Sequence, residues 1–183
     1  MHSHDRTLLS RLGFADPDKK NSQHDLACQY LADREKVQSI VLMIAEKMQA
    51  PEESANSFDA LMGTTYSAFE VPIEKGENQY KTTIGFVDLI IFASHHPLCA
   101  PNIFIEVKIE KISIGDCLCQ LTLYDSYISK TYSWREFPWV LASPWPITAE
   151  EERMLWPRAM HVQLGDEFTS FCKNQVIAES PRI

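Results

Sequence analysis

Three residues in one apolar stretch carry charge where burial is expected. Asp88 interrupts the run Phe86–Phe92, and Glu106 and Lys108 interrupt Ile103–Ile109. Both runs read as neighbouring buried strands. An unpaired carboxylate in that setting costs roughly several kcal/mol after relaxation. Something must hold these charges, and a metal ion is the first candidate. Carboxylates are hard oxygen ligands suited to Mg2+ or Mn2+. A cation there can lower the pKa of a bound water and offset charge developing on a phosphate. A neighbouring ammonium can orient that water or neutralise the transition state. Hydrolysis of a phosphodiester is the reaction such a group suits.

The spacing bears on how these residues could meet. Side chains alternate faces along a strand. Glu106 and Lys108 therefore share a face, about 7 Å apart along the chain. Ile103, Ile105, Val107 and Ile109 take the other face. Asp88 is expected beside Phe86, Ile90 and Phe92. If that face meets the face of Glu106, two carboxylates and one ammonium converge. Further on, Gln120 and Tyr124 stand at i and i+4 and share one face of a predicted helix.

The bland readings stand beside these. A lone Glu-x-Lys is usually a solvated face or an ordinary cross-strand ion pair. Asp88 and the Gln120/Tyr124 pair make it more specific. His95-His96 reads as loop decoration, because adjacent side chains on an extended chain diverge. His161 reads as the partner of a structural hydrogen bond.

The elements that must position these residues follow from pattern and punctuation. Asn21 or Ser22 caps a helix that starts near His24 and runs, with or without a break, to Ala50. Val37, Val41, Ile44 and Met48 mark its buried face. Pro51 stops it, and Glu52–Asn56 reads as a surface connection. Strands are predicted over Thr64–Ile73, Tyr80–Phe92 and Asn102–Glu110. Short loops join them, so they are expected to be antiparallel. A helix over Ile114–Ser129 then crosses over to a strand at Trp139–Ala142. Thr148 starts another helix, Met160–Leu164 a last strand, and Asp166–Cys172 a short terminal helix. The expected architecture is α/β: a mixed β-sheet flanked by helices, with an αβββαβ core.

Gly85-x-x-Asp88, Glu106-x-Lys108 and Gln120-x-x-x-Tyr124, in that order, resemble the motifs of the PD-(D/E)XK nuclease superfamily. The Gln-x-x-x-Tyr element is similar to that of its RecB-type branch. The motifs cover Gly85–Tyr124, and the element order is compatible over most of residues 24–143. The resemblance implies a restriction-endonuclease-like fold and Mg2+- or Mn2+-dependent hydrolysis of DNA. The residues matching Asp88 and Glu106 would bind the metal, helped by the backbone carbonyl of Val107. Lys108 would serve the attacking water, and Gln120 and Tyr124 would support the site. Relatives also supply an acid or a His from the first helix. Asp25, with His24 beside it, is the best match, and Glu70 on the first strand is the other candidate acid. Val87 stands where the family name has proline. The cysteines lack the clustering of iron–sulfur relatives, so no cluster is expected.

Totals bound the rest. The chain has 183 residues, the size of one ordinary domain. Residues 1–183 are read as a single nuclease-like domain, with 1–20 a lead-in and 174–183 a loose tail. A net charge of −8 argues against a non-specific DNA coat, since phosphate contacts come mostly from Lys and Arg. Five cysteines without a C-x-x-C point to a reducing cytoplasm. No apolar run reaches the length of a membrane span. The expected partner is nucleic acid, DNA foremost, in a mobile-element, repair or defence setting. A homodimer or larger complex stays open, because cutting two strands together takes two sites. The alternative is an inactive nuclease-fold module for binding or assembly.

Overall fold

The computed structural model describes residues 22–49, 55–64, 66–76, 81–93, 102–131 and 137–178. The lead-in 1–20, the His95-His96 pair and the last residues of the tail lie outside them. Helix α1 spans Gln23–Leu31. The Ser22 hydroxyl accepts the Asp25 N–H at 3.1 Å, and the Asp25 carboxylate accepts the Ser22 N–H at 3.2 Å. This capping box satisfies two donors that the helix cannot.

Helix α2 spans Arg34–Met48. The helix expected over residues 24–50 is therefore two helices. Asp33 makes the break, because its side chain caps α2 by accepting the Glu35 N–H at 2.9 Å. Asp competes with its own backbone inside helices and favours caps. A third helix, α3, spans Ala55–Met62 and overlaps the connection expected at Glu52–Asn56. Only Phe58 and Leu61 are buried in it, too few for a periodic signal.

Five strands follow: β1 (Tyr66–Lys75), β2 (Thr82–Phe92), β3 (Asn102–Val107), β4 (Trp139–Ser143) and β5 (Ala159–Gln163). They lie side by side in chain order. β1, β2 and β3 pair antiparallel, and β3, β4 and β5 pair parallel. Parallel neighbours need crossovers. Helices α4 (Ile114–Thr131) and α5 (Ala149–Leu155) lie in those two connections. Helix α6 spans Asp166–Ala178. It passes the expected end at Cys172 and takes in the first part of the expected loose tail. The protein is thus α/β, with six helices among the described residues and an open, mixed five-stranded sheet. None of these helices is long and apolar enough to cross a membrane.

The sheet separates two cores. Leu89, Ile91, Ile103, Ile105 and Val107 pack with Leu26, Ile40 and Ile44 of α1 and α2. Ile90, Phe104, Trp139 and Leu141 pack on the other face with Leu121, Tyr124 and Ile128 of α4. The alternation expected for β3 holds. β3 itself stops at Val107, short of the expected Glu110. The Lys108 N–H still bonds the Ala142 carbonyl at 2.9 Å.

Besides the register shift between Ile73 and Glu74, β1 and β2 depart from regular alternation beside Glu70 and Asp88. Phe69 packs in the first core and Val71 in the second, although residues two apart should share a face. Opposite them, Leu89 lies in the first core and Val87 in the second. Glu70 and Asp88 sit at the crossing point. Glu70 is in the left-handed region, with φ of 48°, which costs on the order of 1–3 kcal/mol for a residue other than glycine. The expectation that Asp88 belongs to a regular Phe86/Ile90/Phe92 face is corrected accordingly. Val87, not Phe86, shares the core of Ile90.

Candidate active site

The pairing of β2 with β3 ends at Leu89 and Ile105. Past that point the Asp88 side chain takes the place of a strand partner. Its Oδ2 accepts the Val107 N–H at 2.7 Å. This bond fixes the carboxylate at the mouth of the splayed strands. The expected contribution of Val107 was its carbonyl, whereas the contact seen is made by its N–H.

Glu106 is one residue earlier on β3 and is 2% exposed. Its Oε1 accepts from Lys108 Nζ at 2.5 Å and from Gln120 Nε2 at 2.7 Å. The other Gln120 proton goes to the Tyr124 hydroxyl at 2.8 Å. Four predicted residues thus form one connected network. The i, i+2 spacing on the strand places Lys108, and the i, i+4 spacing on α4 places Gln120 and Tyr124.

Gly85 has a steric role that its place in the motif did not reveal. A Cβ there would lie 2.7 Å from two ring carbons of Tyr124. The ring rests directly on the Gly85 backbone, which locks α4 onto β2 beside the site.

The first helix contributes differently from expectation. Asp25 is engaged in capping α1, and no hydrogen bond among the described residues joins Asp25 or Glu70 to Asp88. It is His24 that reaches Asp88, with Nε2 at 3.3 Å from Oδ1. Nδ1 of His24 lies 3.7 Å from Asp25 Oδ1. Asp25 and Glu70 do line one cavity of about 200 Å³ together with Asp88 and Cys28. The signal for His24 was its position beside Asp25 in the first turn of α1. Which of the two would reach Asp88 depended on the cap, and that is a tertiary outcome.

The electrostatics follow from crowding. Burial first, and then the Asp88 charge, push the Glu106 carboxyl up to about 7, against the opposing pull of Lys108 and Gln120. Burial pulls Lys108 down, but the Glu106 and Asp88 charges outweigh it, so the ammonium holds its proton more firmly than usual. The hydrogen bond to Asp88 is the largest influence on His24, and it raises the imidazole above its ordinary value despite burial.

Whether this set suits a divalent cation can be judged from its donors. Among the described residues, no group of three or more His, Cys, Asp and Glu side chains is placed to hold an ion. The set is therefore two carboxylates completed by backbone oxygen or water. Glu106 Oε2 is buried without a hydrogen-bond partner, a costly condition for an acceptor. Two mutually repelling carboxylates and an orphaned hard oxygen fit Mg2+ or Mn2+. Comparisons with protein-family models, with curated proteins and with solved structures find no match.

Proposed function

We propose that the chain is a metal-dependent nuclease that hydrolyses DNA phosphodiester bonds, on a restriction-endonuclease-like core of the PD-(D/E)XK type. The observation that carries this reading is the Glu106 carboxylate. It is buried, bridged to Lys108 and Gln120 through one oxygen, and left bare at the other. Asp88 and Glu106 would hold Mg2+ or Mn2+. The ion, when bound, would supply an acidified water and offset charge on the phosphate.

The chain's own residues do the rest. The Val107 N–H pins Asp88, so that carboxylate needs no reorganisation on binding. Gln120 holds Glu106 Oε1, which leaves Oε2 as the oxygen without a hydrogen-bond partner. Lys108, released from Glu106, directs its ammonium to the attacking water or a phosphate oxygen. Tyr124 holds Gln120 in the rotamer that makes this possible. His24 stands against Asp88 from the side of α1.

A second reading is favoured by two observations. Lys108 closes on Glu106 as an internal ion pair, and the net charge of −8 disfavours DNA. On that reading the fold is an inactive module for binding or assembly. A cleavage panel separates the two. Linear, circular, single-stranded and branched DNA, and RNA, are incubated with Mg2+ and Mn2+. Wild type, Asp88→Ala and Lys108→Ala run side by side. The nuclease reading expects DNA cleavage by wild type alone. Equal cleavage by all three removes the site assignment. No cleavage, with no Mn2+ bound, favours the module.

A further inference from the structure

Among the described residues, the large apolar side chains left exposed are Leu42, Met43, Phe86, Leu123 and Met154. Phe86 is the one aromatic ring among them and is 49% exposed. It stands two residues from Asp88 on β2. Single exposed apolar residues are ordinary, so its place in the fold decides what it signifies.

Only Leu89–Phe92 of β2 pair with β3. The earlier half of β2 has β1 alone beside it and forms a two-stranded ribbon that runs past the site. Within the ribbon, Gly85, Phe86 and Val87 pair regularly with Ile73, Pro72 and Val71. Val87 and Ile73 are buried on the α4 side, and the Tyr124 ring covers Gly85 there. Alternation therefore turns Phe86 to the opposite side, that of α1. His24 approaches Asp88 from the same side. Continued in register, the antiparallel pairing of Leu89 with Ile105 would set Phe86 opposite Lys108. The strands splay instead, so Phe86 and Lys108 mark the two lips of the mouth in which Asp88 lies.

A phosphodiester held at Asp88 and Glu106 would carry its adjoining nucleotides out past these lips. Phe86 lies about 7 Å from Asp88 along the strand, within the reach of one nucleotide from phosphate to base. A phenyl ring offers no hydrogen bond, so it reads no base edge. It offers a flat face on which any unstacked base can rest. Stacking does not depend on charge, which suits a chain of net charge −8 better than added phosphate contacts would. The Tyr124 ring on Gly85 fixes the backbone beside Phe86, so little freedom is lost on binding.

We infer that Phe86 is a substrate-contacting residue that stacks on the base of a nucleotide adjoining the scissile phosphate. This rests on the nuclease reading and deepens it. A base inside a duplex already has both faces stacked. The preferred substrate is then single-stranded or frayed DNA, with little preference among the bases.

The test uses a labelled single-stranded DNA 12-mer of mixed sequence, a 12-mer of abasic sugar-phosphate, and a blunt duplex. Binding to the full chain is read by fluorescence anisotropy with Ca2+ in place of Mg2+. Wild type should bind the single strand about tenfold tighter than the abasic strand or the duplex. Phe86→Ala should lose about that factor on the single strand and little on the abasic strand. Phe86→Trp should keep the affinity. Phe86→Leu should not, because leucine keeps apolar bulk without the ring. Thermal melts check that the variants fold, and Mn2+ binding should be unchanged in all three. Equal losses on base-bearing and abasic strands overturn the inference, as does full affinity in Phe86→Leu. A wild-type dimer that Phe86→Ala reduces to monomers, with DNA affinity unchanged, also overturns it and assigns the ring to contact between copies. Unchanged affinity in folded Phe86→Ala, with Mn2+-dependent cleavage intact, overturns the inference and leaves the nuclease reading standing. No binding or cleavage of any strand by wild type overturns both.

Discussion

Asp88 Oδ2 accepts the Val107 N–H at 2.7 Å, so one carboxylate serves both as a strand partner and as a candidate cation ligand. The two duties separate by substitution. Asn keeps an acceptor for Val107 but loses the charge, while Ala loses both. Asp88→Asn should melt close to wild type. Asp88→Ala should lose about 1–3 kcal/mol, the cost of an orphaned buried N–H. Both should lose Mn2+ binding and about a hundredfold or more of cleavage rate. Thermal melts with and without Mn2+ read the first effect, and single-turnover cleavage the second. Equal melting of the two variants would contradict the pairing role.

Gly85 and Tyr124 should behave as one unit. Gly85→Ala places a Cβ against the Tyr124 ring, and overpacking of this kind costs about 1–3 kcal/mol. The displaced ring also frees Gln120 from its hydroxyl, so activity should fall with stability. Tyr124→Ala removes the clash. In a double-mutant cycle, Gly85→Ala should cost markedly less in the Tyr124→Ala background. Additive losses would place the Gly85 effect elsewhere.

Glu106 sets a pH dependence of stability whose sign is opposite to that of a normal carboxylate. Its folded-state value, about 7, lies above its ordinary value of 4.5. Between those values the folded protein binds more protons than the unfolded chain, so stability falls as pH rises. The penalty is complete above about pH 7 and amounts to on the order of 3 kcal/mol. Glu106→Gln should therefore raise the metal-free Tm at pH 8 and leave it nearly unchanged at pH 4.5. Mn2+ should stabilise the wild type increasingly from pH 6 to 8 and not stabilise Glu106→Gln. A Tm for Glu106→Gln below wild type at pH 8 would count against this reading.

His24 acts in the other direction. Its value is raised, chiefly by the hydrogen bond to Asp88. The stability it contributes is fully present below its unfolded value of 6.5 and is lost as pH rises through the raised one. His24→Gln should narrow the gap between Tm at pH 5.5 and pH 8. About a third of the side chain is exposed, so the effect is small. A protonated His24 also competes with a cation for Asp88, so His24→Gln should weaken the acid-side loss of Mn2+ affinity.

Local geometry explains how much of the site could be read from sequence. Lys108 reaches Glu106 because i, i+2 neighbours share a strand face, and Gln120 reaches Tyr124 because i, i+4 neighbours share a helix face. The apolar runs of β2, β3 and β4 and the crossover helix, expected over Ile114–Ser129 and found over Ile114–Thr131, were legible from such local patterns. What depended on tertiary contact was not legible. The crossing point at Glu70 and Asp88 needs both strands present. The choice of His24 over Asp25 depends on Ser22 claiming Asp25 as a cap. Gly85 matters only because a side chain from a later helix lands on it. Helix α3 buries too little to announce itself.

The consecutive strand order has a consequence for how the molecule assembles. β1, β2 and β3 are linked by short connections, so their contacts close small loops and can form early. The parallel half must wait for two crossover helices. Asp88 and Glu106 both ride on the early half, while Gln120 and Tyr124 ride on α4. On that order the two carboxylates would confront each other before the helix that steadies Glu106 has docked. Refolding should meet this repulsion as a kinetic barrier, one that a divalent cation or the Glu106→Gln substitution lowers. The same charges that would serve hydrolysis under the proposed reading would then set the pace at which the chain reaches its folded state.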